Sequence, residues 1–431
     1  MKFSSAPYII MYMEIHETKS TVEKVLLLSV DTSEYDNEMS VEELRELVRT
    51  AGGEVEGVII QKLDKINPVS YIGSGKLGEA ELFCHNREID LVVCDDTLTT
   101  TQQRALTKAL GVRVIDRTVL ILDIFASGAK THEGKLQVEL AQLNYSLANL
   151  AGRGEEFSRL GGGIGTRGPG ETKLETDRRH IRRRKNALEE QLKSLEKRRG
   201  NQRQRRKKDG VVTCAIVGYT NAGKSTLLNT LTNAGVLAED KLFATLDPTS
   251  RALKLPDGRS VMLIDTVGFI SRLPHLLIEA FKSTLEEAVE ADILLLLADA
   301  SDPEAEAKLE TSKELLKELG AEHKPLITVY NKCDIAENSY LMPVSKNTVK
   351  ISALTGVGLP ALLDAISENY PEQTAVFRAA LPYTESALLS WLHENARIIE
   401  EKYAEAGVFV KAEVGKNSLY KFIPYITEEE A

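Results

Sequence analysis

Val211 to Val217 is a continuous apolar and β-branched run that leads into Gly218-Tyr219-Thr220-Asn221-Ala222-Gly223-Lys224-Ser225, a complete GxxxxGK[ST] sequence, and Ser225-Thr226-Leu227-Leu228-Asn229 then opens a helical pattern. A buried strand, a glycine-rich turn and a helix start in that order restrict this part of the chain to an α/β fold with a phosphate-binding loop. Gly218 and Gly223 let the backbone turn its amide N–H groups around phosphate oxygens at the helix N-terminus. Lys224 is expected to reach the β- and γ-phosphates, and the Ser225 hydroxyl to ligate Mg²⁺.

Further motifs follow in the order that a guanine nucleotide site requires. Val261-Met262-Leu263-Ile264 reads as a second buried strand and ends in Asp265-Thr266-Val267-Gly268, a DxxG. Asp265 would hold Mg²⁺ through water, and the Gly268 N–H would sense the γ-phosphate, a supporting role in hydrolysis shared with Lys224. Pro325 to Tyr330 forms a third strand leading into Asn331-Lys332-Cys333-Asp334. A carboxylate there accepts hydrogen bonds from the guanine N1–H and 2-amino groups, which adenine does not reciprocate, so the motif specifies GTP and GDP. Ser352-Ala353-Leu354, after another short apolar run, matches the remaining base-contacting loop.

Leu242 to Thr249 reads Leu-Phe-Ala-Thr-Leu-Asp-Pro-Thr and is expected to be a switch segment. A Thr hydroxyl here would join Mg²⁺ only while a γ-phosphate is present; Thr245 is preferred to Thr249 for this role. Phe269 stands where many GTPases place a Gln that orients the attacking water, and Phe cannot do so, which leaves the catalytic water-positioning group unassigned. Asn221 stands where an Asn in several translation-associated GTPases helps hold a monovalent cation beside the phosphates, and that resemblance allows a K⁺ here, while an Asn that merely caps its own turn is at least as good a reading.

The formal net charge of −10 hides an asymmetry: Arg178 to Lys208 holds 15 Lys/Arg against 3 Asp/Glu. A solvated helix face is the ordinary reading of such a run, but this density favours a polyanion, and for a nucleotide switch RNA is the expected one. Arg167, Arg178, Arg179, Arg182, Arg183, Arg184 and Lys185 are the candidate RNA contacts. Ile181, Leu188, Leu192 and Leu195 take heptad core positions, and Leu136, Leu140, Leu143, Leu147 and Leu150 repeat at spacings of four and three, so two helices should pack antiparallel. Between them Gly152 to Gly170 carries 8 of the 29 glycines, too long for a plain connector, and is expected to be an irregular loop that orders on a partner.

The remaining boundaries follow from pattern changes. Residues 1–22 are expected to be disordered, 23–132 to form an α/β unit with a parallel sheet, 133–209 the helical hairpin, 210–372 the P-loop domain and 373–431 a small α+β unit. In the first unit, Ile72 to Gly78 invites a second nucleotide-site reading but lacks a full P-loop, and an ordinary glycine-rich turn is the better account. In the last, strands are expected around Val376 to Leu381, Val408 to Val414 and Leu419 to Ile426, with a helix around Glu385 to Glu394. Cys84, Cys94, Cys214 and Cys333 show no metal spacing, and no stretch approaches a membrane span, so a cytoplasmic monomer is expected.

The α/β N-terminal part, Gly134-Lys135-Leu136-Gln137-Val138-Glu139-Leu140-Ala141-Gln142-Leu143, the stretch Gly161 to Glu175 (GGGIGTRGPGETKLE) and the FATLDPT segment together resemble the HflX family of ribosome-associated GTPases across nearly the whole chain. That resemblance implies binding to the large ribosomal subunit and its rRNA, with the hairpin directed toward the peptidyl-transferase region, GTP-dependent splitting or rescue of stalled ribosomes under stress, and association with ribosomes or peripherally with membrane. Two other readings stay open: an ATP-driven rRNA remodeller regulated by GTP, and a stress-linked adaptor acting on a protein partner.

Overall fold

The protein is described here from a computed structural model. The structure describes residues 22–159, 169–208, 211–232, 242–243, 249–272, 274, 277, 286–336, 345, 347–371, 374–404 and 407–429. It has a parallel α/β part, a long helical hairpin, a second α/β part holding the phosphate loop, and an antiparallel sheet with helices.

In the first part, strands β1 (Lys24–Asp31), β2 (Glu54–Lys62), β3 (Leu91–Cys94) and β4 (Arg113–Asp116) pair in parallel in the order β2-β1-β3-β4. Strand alternation sends Val25 and Leu27 to one face, under helices α1 (Asn37–Thr50) and α4 (Arg117–Gly128). Leu26, Leu28 and Val30 go to the other face, beneath α2 (Ser74–Arg87) and α3 (Thr100–Leu110). Helix starts are secured by side chains: Asp36 accepts from Met39 N, Asp116 from Val119 N, and Thr99 with Gln102 forms a capping box. The stretch after Ile72 is a helix start and not a plain turn: Gly73 is the N-cap of α2, its N–H donating to Gln61, and Ser74 to Gly78 already belong to the helix, where Lys76 pairs with Glu79 at 2.7 Å.

Helices α5 (His132–Arg159) and α6 (Pro169–Lys208) form the hairpin. Leu136, Leu143, Ile181 and Leu188 are buried along its seam, and Arg184–Glu139 and Arg199–Glu133 contacts set the two helices antiparallel. Gly152, Gly154 and Gly170 do not belong to an irregular loop, because α5 continues to Arg159 and α6 starts at Pro169; the rest of the expected loop, 160–168, lies outside the described residues. An isolated helical Gly costs only about 1 kcal/mol against Ala, which the rest of a long helix absorbs.

The second sheet runs β10-β9-β8-β5-β7-β6, from β5 (Val212–Gly218), β6 (Thr249–Lys254), β7 (Ser260–Asp265), β8 (Ile293–Asp299), β9 (Leu326–Asn331) and β10 (Thr348–Lys350). All neighbours are parallel except β6 on β7. Helices α7 (Lys224–Thr232), α8 (Ala305–Glu318) and α9 (Leu359–Glu368) pack on it.

The last part is β11 (Thr374–Leu381), α10 (Ser386–Asn395), β12 (Arg397–Ala404), β13 (Gly407–Gly415), α11 (Lys416–Leu419) and β14 (Ile426–Glu429), in sheet order β12-β13-β11-β14. Leu419 to Ile426 is thus not a strand: it contains the end of α11 and a 3₁₀ turn at Ile423–Tyr425 before β14 begins. The turn lets Phe422 reach the core, where it is fully buried against Phe377 at 5.1 Å between ring centroids. No described helix is long and apolar enough to cross a membrane.

Candidate functional site

The site is assembled at the carboxyl ends of β5, β7 and β9. Gly218 (φ +143°) and Gly223 (φ +88°) bound the turn after β5. A Cβ on Gly218 would overlap the Leu297 carbonyl of β8, and one on Gly223 would overlap the Asn331 amide, so close approach excludes side chains at both. Asn221, exposed at the tip, also has a left-handed φ of +61°. Tyr219, Thr220 and Ala222 are buried around it, and Thr226 is half-buried in the first turn of α7.

Lys224 is buried, and its Nζ donates to the carbonyls of Gly218 at 3.1 Å and Tyr219 at 2.6 Å. Burial lowers its pKa to about 8, opposed in part by the Asp265 carboxylate. Ser225 Oγ donates to Asp265 Oδ2 at 2.7 Å, which puts a hydroxyl and a carboxylate within reach of one small divalent ion. Thr266 Oγ1 donates to the Ile216 carbonyl at 2.7 Å and fixes the segment after β7 beside β5.

Gly268 lies directly against the phosphate loop. A Cβ there would sit 2.7 Å from Thr220 Cγ2 and 2.9 Å from Lys224 Nζ. The next residue is stitched to the same loop, with Phe269 N donating to Gly218 O at 3.0 Å and Thr220 N donating to Phe269 O at 2.8 Å. The Phe269 ring is buried in the cluster that contains Tyr219, away from any water-orienting role.

At the base end, Asn331 is buried and uses both ends of its amide as a brace. Its Nδ2 donates to Ala222 O at 2.8 Å, and its Oδ1 accepts from Ala353 N at 2.9 Å. The phosphate loop and the Ser352-Ala353-Leu354 loop are thereby tied together. Lys332 (φ +62°) pairs with Asp299 at 2.7 Å, Asp334 is exposed, Ser352 and Ala353 are buried, and Leu354 projects outward.

The basic run divides into two. Arg179, Arg182 and Arg183 are exposed on α6, and Arg178 is half-buried. Arg184, by contrast, forms a two-pronged pair with Glu139 at 2.6 and 2.8 Å, and Lys185 lies 3.6 Å from Glu189. Toward its C-terminus the helix turns cations inward: Arg199 pairs with Glu133 at 3.0 Å, Arg203 with Glu286 at 3.6 Å, and Arg206 lies 4.0 Å from Glu287. Arg167 and Thr245 lie outside the described residues.

Sequence reasoning missed a polar cluster between the two α/β parts. Arg117, at the start of the apolar helix α4, is buried between Glu43 and Asp95, the latter at 2.8 Å, and also donates to the Ser271 carbonyl at 3.2 Å. The one available signal was an arginine opening the otherwise apolar run Val119-Leu120-Ile121-Leu122, since such a charge is buried only with partners.

Comparison with known proteins agrees with this geometry. Residues 38–126 match the family described as GTP-binding GTPase N-terminal, 128–206 its middle region, 213–332 the 50S ribosome-binding GTPase family, and 341–417 the HflX C-terminal domain. The GTPase HflX of Caldanaerobacter subterraneus subsp. tengcongensis is 53% identical over 393 residues, covering 91% of each chain. That of Lacrimispora saccharolytica is 48% identical over 404 residues, covering 93% of this chain and 96% of the relative. Among solved structures, a GTP-binding protein from Sulfolobus solfataricus in complex with GDP is 27% identical, covering 80% of this chain and 98% of that one, with a TM-score of 0.43. With its motifs gathered at one sheet edge and relatives this similar along almost its whole length, the chain belongs to the HflX family of GTP-hydrolysing enzymes.

Proposed function

We propose that the protein is a GTP-driven switch that binds the large ribosomal subunit through its hairpin and splits or rescues stalled ribosomes. The observation that carries this reading is the division of α6: Arg179, Arg182 and Arg183 face outward, while Arg203 and Arg206 face Glu286 and Glu287 of the nucleotide-binding part. One end of the helix is therefore available to phosphates, and the other is fastened to the nucleotide-binding part. Relatives in the matched family are described as 50S ribosome-binding, which makes rRNA the expected polyanion.

In this reading residues 218–226 cradle the phosphates, Lys224 neutralises the β,γ-bridge, Gly268 N–H senses the γ-phosphate, and Asp334 reads guanine beside Ser352, Ala353 and Leu354. Asn331 and Lys332 act by holding these loops. The proximity of Ser225 and Asp265 suits Mg²⁺, with Ser225 a direct ligand, Asp265 acting through water, and Thr245 joining in the triphosphate form. Such an ion would neutralise charge developing on the phosphate oxygens. Arg167 is proposed as a further rRNA contact, and Asn221 as a K⁺ ligand.

Sedimentation with purified large subunits over a salt series tests the hairpin. Replacing Arg182 and Arg183 with Ala should lower the salt slope by roughly 1 per cation and weaken binding without altering GTP affinity. An unchanged slope would remove the hairpin from the interface.

A further inference from the structure

Beyond Gly268 the chain leaves the second sheet and packs against the first α/β part. Where the order β2-β1-β3-β4 reverses direction, at the carboxyl ends of β1 and β3, an open parallel sheet has the crevice in which such folds hold ligands. Here the crevice is filled by Arg272. One guanidinium nitrogen lies 2.8 Å from Asp95 and 2.9 Å from Ser40 Oγ, the other is bonded to Asp96, and the group stacks 3.7 Å over the Tyr35 ring. Its neighbour is held equally firmly. Ser271 N donates to Glu43 at 3.1 Å, its hydroxyl is bonded to the same carboxylate, and its carbonyl accepts from Arg117.

The segment is held at both ends. Val267 and Ile270 are buried in the first sheet's core cluster, and Arg272 has a left-handed φ of +51°, a backbone state that an arginine keeps only where contacts impose it. Leu242 and Phe243, at the start of the FATLDPT segment, are docked on the same body: Leu242 N donates to Thr50 Oγ1 at 3.2 Å, and the Phe243 ring meets Phe125 edge-on at 4.6 Å. At the other end, Phe269 is bonded to the phosphate loop, and Gly268 packs on Lys224, whose ammonium is turned onto its own loop's carbonyls. A γ-phosphate needs room between Gly268 and the Lys224 ammonium, and here a single methyl added at Gly268 would already come within 2.9 Å of Lys224 Nζ.

We propose that Arg272 is a positioning residue for the GTP cycle. Seated among Asp95, Asp96 and Tyr35, it holds residues 267–272 against the phosphate loop in a form that accepts a diphosphate and opposes a γ-phosphate, so that triphosphate binding must draw it out of the crevice. The first α/β part thereby senses which nucleotide is bound. This inference rests on the nucleotide reading given above.

The test is equilibrium titration of the full chain, with Mg²⁺, against fluorescent GDP and a non-hydrolysable GTP analogue. Arg272→Ala should raise the ratio of analogue to GDP affinity by about 5- to 100-fold, the range of ordinary coupling between sites, with GDP affinity itself nearly unchanged. Arg272→Lys should fall between, since it keeps the charge but loses the planar fork and the stacking. Tyr35→Leu, on the opposite side of the contact, should move the ratio in the same direction, a pattern that general loss of structure would not produce. If the parent binds both nucleotides and none of the three variants changes the ratio, the latch is wrong. If the parent binds neither, the nucleotide reading falls with it.

Discussion

Asn331→Ala isolates the brace between the two nucleotide loops. The side chain is 2% exposed and makes two hydrogen bonds, to Ala222 O at 2.8 Å and from Ala353 N at 2.9 Å. Both backbone partners belong to buried residues, so truncation leaves a donor and an acceptor facing a space the size of the lost amide. At about 1–2 kcal/mol for each group orphaned, the change costs about 2–4 kcal/mol. One group sits on the phosphate loop and the other on the Ser352-Ala353-Leu354 loop, so most of this cost should appear as misplacement of the two loops relative to each other. With 1.4 kcal/mol per tenfold, GDP affinity should then fall by roughly 30- to 1,000-fold. Asn331→Asp keeps an acceptor for Ala353 N but sets a carboxylate against the Ala222 carbonyl, so it should not rescue binding. Fluorescent-GDP titration and stopped-flow dissociation measure this directly, with the loss expected mainly in the off-rate. Affinity within about threefold of the parent would show that the brace is not what holds the loops, because that corresponds to under 1 kcal/mol.

Asp334→Asn should weaken GTP and favour xanthosine triphosphate, because the guanine N1–H loses its carboxylate while xanthine offers a carbonyl to the new amide; unchanged selectivity in a competition titration would refute the assignment. Lys224, depressed to about 8 from its ordinary 10.5, makes the folded protein bind fewer protons than the unfolded chain, so its stability penalty is present at neutral pH and is relieved as pH rises from about 8 toward 10.5. Triphosphate binding favours the ammonium, so GTP affinity should fall as pH rises above 8 with proton uptake on binding, and Lys224→Met should abolish that uptake along with tight binding; calorimetry in buffers of different ionisation enthalpy reads it.

The nucleotide site was legible because each of its parts is local. A strand's apolar run, two glycines at fixed spacing, a lysine and a hydroxyl at a helix start are neighbours in the chain, and the backbone geometry they impose, φ +143° at Gly218 and +88° at Gly223, follows from short-range sterics. The same holds for the hairpin seam, whose heptad spacing reports burial directly, and for β1, β3 and β4, whose unbroken apolar runs report strands covered on both faces. Edge strands were harder to see. β6 and β12 carry Arg251, Lys254, Glu400 and Lys402 with few buried positions, so their apolar pattern is faint and only pairing with β7 and β13 makes them strands. Charge was the least legible property, because a sequence counts cations without saying what each faces. The run from Arg178 to Lys208 reads as one basic surface, yet Arg184, Arg199 and Arg203 are turned onto Glu139, Glu133 and Glu286. Arg272 and Asp95 are 177 residues apart and follow strands of different sheets, so their contact is set by how those sheets dock. Local physics determined the loops of the candidate nucleotide site; which charges pair within the protein and which stay on its surface was decided by long-range packing, where ion pairing depends on distances that no local pattern encodes.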